Sequence, residues 1–319
     1  MPITKSVIEA AKNLGVPVKK LGLLKNKMLL QLGRGKNIKW TRGAVTSETK
    51  YLSMKIAHHK DFANKILAGV GLPVPKHFCT DKIEEVKKFL EKTKFPIVVK
   101  PQAAQQGKIV HCDVNSKKDA LLFFKKIKQK YAKVVFEEQI EGSDFRILII
   151  GNKLVAAMQR IPPFIIGNGK STILQLINKE NKNPLRKTKK IYPIKVDEEV
   201  KRLLKQRGLN LKSILKKDEK TFLRRNANIS TGGVGVDVTE IINPKNVELA
   251  IKATKAIGLD ICGVDLITPD ITKPYDKNGG KIIEVNGGPD AAIHHFPVSG
   301  KPRKAGEAII KMLFPNLKK

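Results

Sequence analysis

The chain is short of the residues that disulfide scaffolds, base-stacking surfaces and membrane spans require. Its three cysteines, Cys79, Cys112 and Cys262, are odd in number and far apart in a chain of 319 residues. They show neither metal-ligand spacing nor a disulfide framework, which reads as reduced thiols in a cytoplasmic setting. Four Tyr and one Trp leave little with which to stack nucleic-acid bases. No run approaches the ~20 apolar residues of a membrane span, and stretches such as Phe145 to Ile150 are strand-sized. The opening Met-Pro-Ile-Thr-Lys leads into a mixed-polarity helix rather than the apolar segment of a signal peptide. Acid is scarce as well, with 29 Asp and Glu against 62 Lys and Arg, a formal charge of +33.

That excess attracts polyanions such as nucleotides, acidic peptides, nucleic acid or anionic lipid. Most lysines are scattered along helix faces and loops, as in Lys125-Lys126-Ile127-Lys128-Gln129-Lys130, and no zinc-knuckle or helix-turn-helix signature appears. Nucleic acid is therefore the less favoured partner, and biased composition is the plain account of the charge. With 41% hydrophobic residues the chain can bury real cores, and its length suits two or three packed units.

Three parts are expected: an N-terminal segment at 1–55, a compact α+β module at 56–136, and a larger part at 137–319. The last carries a Lys-rich insert at about 161–222. Helices are expected near Thr4 to Leu14, His58 to Val70 and Asp81 to Lys94, the last capped by Asp81 and Glu84. Ser116 opens another. Strands are expected at Ile97 to Pro101, Ile109 to Val114 and Val134 to Glu138. Glu141 to Asp144 reads as a turn into a hairpin, Phe145–Ile150 and Lys153–Arg160, joined through Gly151-Asn152. Insert helices fall near Thr172 to Asn181 and Asp197 to Gln206, and Asn243-Pro244 starts a helix that Gly258 ends.

The most informative segment is Ile-Ile-Glu-Val-Asn-Gly-Gly-Pro, residues 282–289. On a strand Glu284 and Asn286 point the same way, so a carboxylate and an amide oxygen sit side by side at a strand end. Asp265, in the earlier apolar run Ile-Cys-Gly-Val-Asp-Leu-Ile, offers a third oxygen. Such a set suits Mg²⁺, a hard cation held by few protein ligands plus phosphates. A strand-end carboxylate beside a turn-forming Asn is the bland alternative. A lysine flanked by Val98, Val99 and Pro101 is also unusual, since the buried ammonium of Lys100 needs an anion nearby.

Several ordered segments together resemble the ATP-grasp ligases, most nearly the amide-ligase domain of cyanophycin synthetase. The second half of bifunctional glutathione synthetases is similar too. They are Gln31 through Asn37, Pro96 through Pro101, Glu141 through Arg146, Gly167 through Lys170, Arg224 with Asn226 through Gly233, Gly263 through Asp265, Glu284 through Asn286, and Ser299 through Arg303. The resemblance implies an α+β ATP-grasp fold, two α+β subdomains clasping ATP with a lid-like insert. It implies ATP and Mg²⁺ (or Mn²⁺) as cofactors, Lys100 and then Lys60 on phosphate, and backbone groups of Glu137, Glu138 and Ile140 edging the adenine. Gly107, in the loop Ala104-Gln105-Gln106-Gly107-Lys108, and Asp144 complete the nucleotide set. That loop has one glycine where the family usually shows two. Arg146 and Arg224 would be catalytic and Arg160 would orient a carboxylate, work suited to a planar fork of donors. Asn228, Ser230, Thr231, Gly232 and Gly233 would form an anion nest, and His295 and Arg303 would meet substrate. A Gly-Gly turn, surface ion pairs and structural histidines are the competing uses.

The implied reaction is ATP-dependent amide formation through an acyl phosphate, resting on positioning and electrostatics. Aspartate addition to an acidic peptide or polymer is the first expectation. A γ-glutamyl dipeptide ligase is the second, and a catalytically weak, basic nucleotide- or RNA-binding derivative of the fold is the third. An oligomer is left open.

Overall fold

The computed structural model describes residues 2–24, 27–103, 110–188 and 191–317. It forms two compact units from interleaved stretches: Met1–Pro75, Ile140–Gln159 and Asp237–Lys319 make the first, Lys76–Gln139 and Arg160–Val236 the second. Helices and antiparallel sheets occur throughout, the α+β class expected from the sequence.

In the first unit, neighbouring strands of the main sheet run Lys153–Ile161, Ser143–Ile150, Ile261–Thr268, Lys281–Gly287. The Ile261–Thr268 strand lies between two others in the sheet and is buried at seven of its eight positions, so both of its faces are covered. Its apolar run therefore reads as continuous rather than alternating. Gly151 and Asn152, with φ of 56° and 61°, supply the two left-handed residues that a tight antiparallel hairpin needs. The helix Pro244–Ile257 is capped by the Asn243 side chain on the Lys245 amide and ends at Gly258, φ 77°, as its sequence signals require. A separate four-stranded sheet runs Val18–Leu24, Lys27–Leu32, Lys39–Arg42, Val45–Thr46. Beside it the helices Pro2–Asn13 and Gly306–Leu313 cross so closely that a Cβ on Gly306 would lie 2.2 Å from the Ser6 carbonyl oxygen.

In the second unit the sheet order is His77–Thr80, Val134–Glu138, Ile97–Pro101, His111–Val114. Helices Ile83–Glu91 and Lys117–Lys128 seal a core with Val86, Leu90, Val99, Phe124, Ile127 and Phe136. A second core, around Ile165, Ile173, Ile177, Val200, Leu204 and Leu223, is built by the insert helices Ile173–Asn181 and Glu198–Gln206. Thr172 and Gln175 make a reciprocal capping box there.

Three local expectations change. The helix expected at His58 to Val70 is Lys60–Gly69, and a further helix that was not expected, Tyr51–His58, precedes it. His59 separates the two at φ −100°, ψ 99°: its N–H closes the first helix on Lys55 and Ile56, while its carbonyl accepts from Ala63 to open the second. Asp81 and Glu84 form no capping pair. Helix Ile83–Glu91 starts after Lys82 with no side-chain cap, and Thr80 instead bonds Glu85 at 2.5 Å and the Lys82 amide at 3.1 Å. Ser143 and Asp144 already lie on the strand, the turn falling at Gly142, φ 136°, where a Cβ would be 2.5 Å from the Thr268 backbone.

Candidate active site

The carboxylates singled out in the sequence meet across the main sheet of the first unit. In register, Asp265 stands opposite Glu284 on one side and Arg146 on the other, and Gly263 stands opposite Asn286. Directly opposed residues share a face, so Arg146, Asp265 and Glu284 form a row across three strands. Asp265 is 2% exposed and is held by both ends of the Arg146 guanidinium, Nη2 lying 3.0 Å from Oδ2 and Nε bonded to Oδ1. Gly263 lets this fork lie flat across the strand, since a Cβ there would sit 3.0 Å from Arg146 Cδ and Nη1. That glycine was quoted in the motif but its job was missed; the signal was its place two residues before Asp265, on the same face. Asn286 donates from Nδ2 to the Gly263 carbonyl at 3.3 Å.

Glu284 is balanced by Lys60, the first residue of its helix, at 3.0 Å. Burial, then the nearby basic groups His59, Lys60 and Lys55, hold the His58 imidazole below its ordinary pKa, with Glu284 opposing them. Two carboxylates and an amide on paired strands therefore sit in the field of Arg146 and Lys60. Among the described residues no group of three or more His, Cys, Asp or Glu gathers as a metal site. The trio itself has two carboxylates and an amide, a set of hard oxygen donors whose negative charge two cations now balance, and so one that fits Mg²⁺.

Elsewhere in this unit Arg303 grips Asp237 at 2.8 Å and reaches Glu240 at 3.3 Å. Burial opposes ionisation of Asp237, but hydrogen bonds from Arg303, Thr239 and the Lys301 amide outweigh it and keep its carboxyl below the usual range. His295 accepts from the Ala305 amide through Nε2 at 3.4 Å, and its neighbour His294 is buried. Ile140 opens the stretch that returns the chain to this unit, and Asp144 lies opposite Ile267. Burial pushes the Cys262 thiol up to about 12, which removes it as a thiolate nucleophile.

In the second unit the buried ammonium of Lys100 has its anion. Glu137 Oε2 is 2.6 Å away, and the two side chains are only 7% and 6% exposed. The sequence placed Glu137 by its backbone and missed this side-chain role. Glu138 follows it on the same strand, its N–H donating to the Lys76 carbonyl. Arg160 and Arg224 are both buried, and Arg224 bonds Asp197, the N-cap of helix Glu198–Gln206. Asn228 leads into a short 3₁₀ turn, Ile229–Thr231, followed by Gly232 at φ 102°. The amides of Thr231, Gly232 and Gly233 donate to the carbonyls of Asn228 and Ile229 at 3.1–3.2 Å. Those three amides thus serve the turn, and an anion nest would need them to turn outward; Ser230 lies in the same turn. Gly107, with the rest of its loop, lies outside the described residues.

A sheet carrying Asp265, Glu284 and Asn286 in register, and a strand-borne lysine in the other α+β unit, are features that the ATP-grasp resemblance implies. The chain belongs to the RimK-like ATP-grasp domain family, whose profile matches residues 57–183 and 215–295. It is similar to cyanophycin synthetase from Trichormus variabilis, 35% identical over 319 residues, which cover 99% of this chain and 35% of that protein. It is also similar to the glutathione biosynthesis bifunctional protein GshAB of Clostridium perfringens, 35% identical over 316 residues, 97% of this chain and 40% of that one. Among solved structures, a bifunctional glutathione synthetase from Pasteurella multocida matches with TM-score 0.67 at 30% identity, covering 98% of this chain and 43% of that one. The chain thus spans about a third of the length of the first curated relatives it matches. Among the described residues no helix is long and apolar enough to cross a membrane.

Proposed function

We propose that this chain is an ATP-dependent carboxylate–amine ligase that releases ADP. A carboxylate oxygen takes the γ-phosphoryl group, giving an acyl phosphate and ADP. An amine then attacks the acyl carbon, phosphate leaves, and an amide remains. The observation that carries the reading is the Asp265–Glu284 pair, two carboxylates placed side by side by strand register and balanced by Arg146 and Lys60. Asp265, Glu284 and Asn286 would hold Mg²⁺, or Mn²⁺ in its place, which when bound neutralises phosphate charge.

The remaining roles fall to groups with the right chemistry. Lys100 and Lys60 would meet phosphate oxygens, backbone groups at Glu137, Glu138 and Ile140 the adenine, with Asp144 and Gly107 completing the nucleotide contacts. Arg146 and Arg224 would steady the transferring group. Arg160, Asn228, Ser230, Thr231, Gly232, Gly233, His295 and Arg303 would line the substrate. Arg224 Nε and Asn226 Oδ1 support this placement, for both are buried without a hydrogen-bond partner and leave one donor and one acceptor for a ligand.

For the substrate, aspartate addition to an acidic peptide or polymer is the first reading, supported by likeness to cyanophycin synthetase along 99% of the chain and by the charge of +33. A γ-glutamyl dipeptide ligase is the second, supported by the TM-score of 0.67 to the bifunctional glutathione synthetase. ADP release screened over single amino acids, γ-glutamyl dipeptides and aspartate peptides, with mass spectrometry of products, separates them. Salt-dependent RNA binding with no ADP release would instead identify a non-catalytic derivative.

A further inference from the structure

The insert of the second unit is tied to the 228–233 turn by one buried arginine. Arg186 is 6% exposed and its guanidinium makes three bonds: Nε to Glu180 Oε1 at 3.1 Å, and Nη1 to the carbonyls of Tyr192 at 2.8 Å and Gly232 at 3.2 Å. The segment it grips is clamped again by Asn181, whose amide both accepts from the Ile194 N–H at 2.7 Å and donates to the Ile194 carbonyl at 3.0 Å. Contact with the turn is tight, since a Cβ on Gly232 would lie 2.8 Å from the Ile194 Cα.

We infer that Arg186 is a positioning residue that sets affinity for the carboxylate substrate through the Gly232 carbonyl. The inference rests on the reading of residues 228–233 as substrate-lining. A peptide unit is planar, so fixing the Gly232 carbonyl also fixes the Gly233 N–H on the Asn228 carbonyl at 3.2 Å, and with it the shape of the turn that carries Asn228 and Ser230. The same arginine fixes the Tyr192 carbonyl, so turn and insert keep one register. Arg186 touches no reacting atom in this scheme. A planar fork is needed because three acceptors in different directions must be met at once, which a lysine ammonium on a flexible stem does poorly.

The test is Arg186→Lys in the full chain, with Arg202→Lys as the control. Arg202 is another largely buried arginine of this unit, bonded to Glu199 at 2.6 Å and to the Cys112 carbonyl at 2.8 Å, and holds no site role here. ADP release is followed with a tetra-aspartate peptide and with γ-glutamylcysteine as carboxylate donors, using hydroxylamine as the amine. Arg186→Lys is expected to raise KM for the accepted peptide about ten-fold while KM for ATP stays within about two-fold. Arg202→Lys is expected to lower Tm comparably and leave both KM values in place. Equal shifts in both KM values, the same peptide effect in Arg202→Lys, or no shift in Arg186→Lys would overturn the inference alone. Wild-type protein that releases no ADP with either peptide would overturn the ligase reading and the inference with it.

Discussion

Two lysine–glutamate pairs, one in each unit, look alike on paper and differ in physics. Lys100 and Glu137 are 2.6 Å apart with both side chains almost fully buried. Lys60 and Glu284 are 3.0 Å apart, with Lys60 9% exposed but the Glu284 side chain 29% exposed. In the buried pair, removing one partner strands an uncompensated charge in a low dielectric, which costs stability heavily. In the half-open pair water reaches Glu284, so breaking it costs less than breaking the buried one. The difference teaches that the first pair is part of the fold, whereas the second leaves its carboxylate open to solvent.

The largest effect is expected from Glu284→Gln, which should cut turnover about a hundred-fold or more while shifting stability by less than about 1 kcal/mol. Steady-state ADP release and thermal denaturation of the same sample measure both. Full activity in that variant would place the metal chemistry elsewhere.

Next comes Lys100→Met, expected to destabilise by about 3–5 kcal/mol, read as a shift in the denaturant midpoint. If Lys100→Met and Lys60→Met proved equally mild, the contrast drawn from burial would collapse. The double replacement Lys100→Met with Glu137→Leu sharpens it, since removing both buried charges should recover part of the loss.

Smaller again is Asp237. Its folded pKa lies below the unfolded value, so its contribution is present above the ordinary Asp range, about 4, and is lost as pH falls through the folded value. Asp237→Asn should therefore cost about 2 kcal/mol at neutral pH, with wild type and variant converging on acidification below about pH 4. A gap that persists at low pH would mean that packing, rather than the Arg303 pair, is what the substitution removes.

The smallest effect concerns exposed charge. Raising salt should weaken acceptor binding several-fold and ATP binding little, because exposed charges are screened over ~8 Å at physiological ionic strength. Neutralising Lys187, exposed on the insert, together with Lys189 and Lys190, which lie outside the described residues, should mimic high salt. Indifference to salt would favour a small-molecule ligase.

What was legible in the sequence was what local chemistry determines. The Asn243 and Ser116 caps, the Gly151-Asn152 hairpin and the alternation that set Glu284 beside Asn286 each follow from a few adjacent residues. The helix Tyr51–His58 and its end at His59 were not legible, because nothing in His58-His59-Lys60 marks a boundary; the backbone bonds that end one helix and start the next decide it. Partners distant in sequence were equally hidden. Arg146 with Asp265, Arg224 with Asp197 and Arg186 with Gly232 depend on register and packing across 119, 27 and 46 positions. A Ser-Thr-Gly-Gly string advertises free amides, and only the folded backbone shows that those of Thr231, Gly232 and Gly233 donate inside the turn.

Trapping with hydroxylamine tests the central claim most directly. If a carboxylate is activated as an acyl phosphate, protein supplied with ATP, Mg²⁺ and the accepted peptide should form a hydroxamate and release ADP and phosphate in step with it. Glu284→Gln should suppress both together. Release of AMP and pyrophosphate instead would show adenylation, and a hydroxamate formed without ATP would contradict the account altogether.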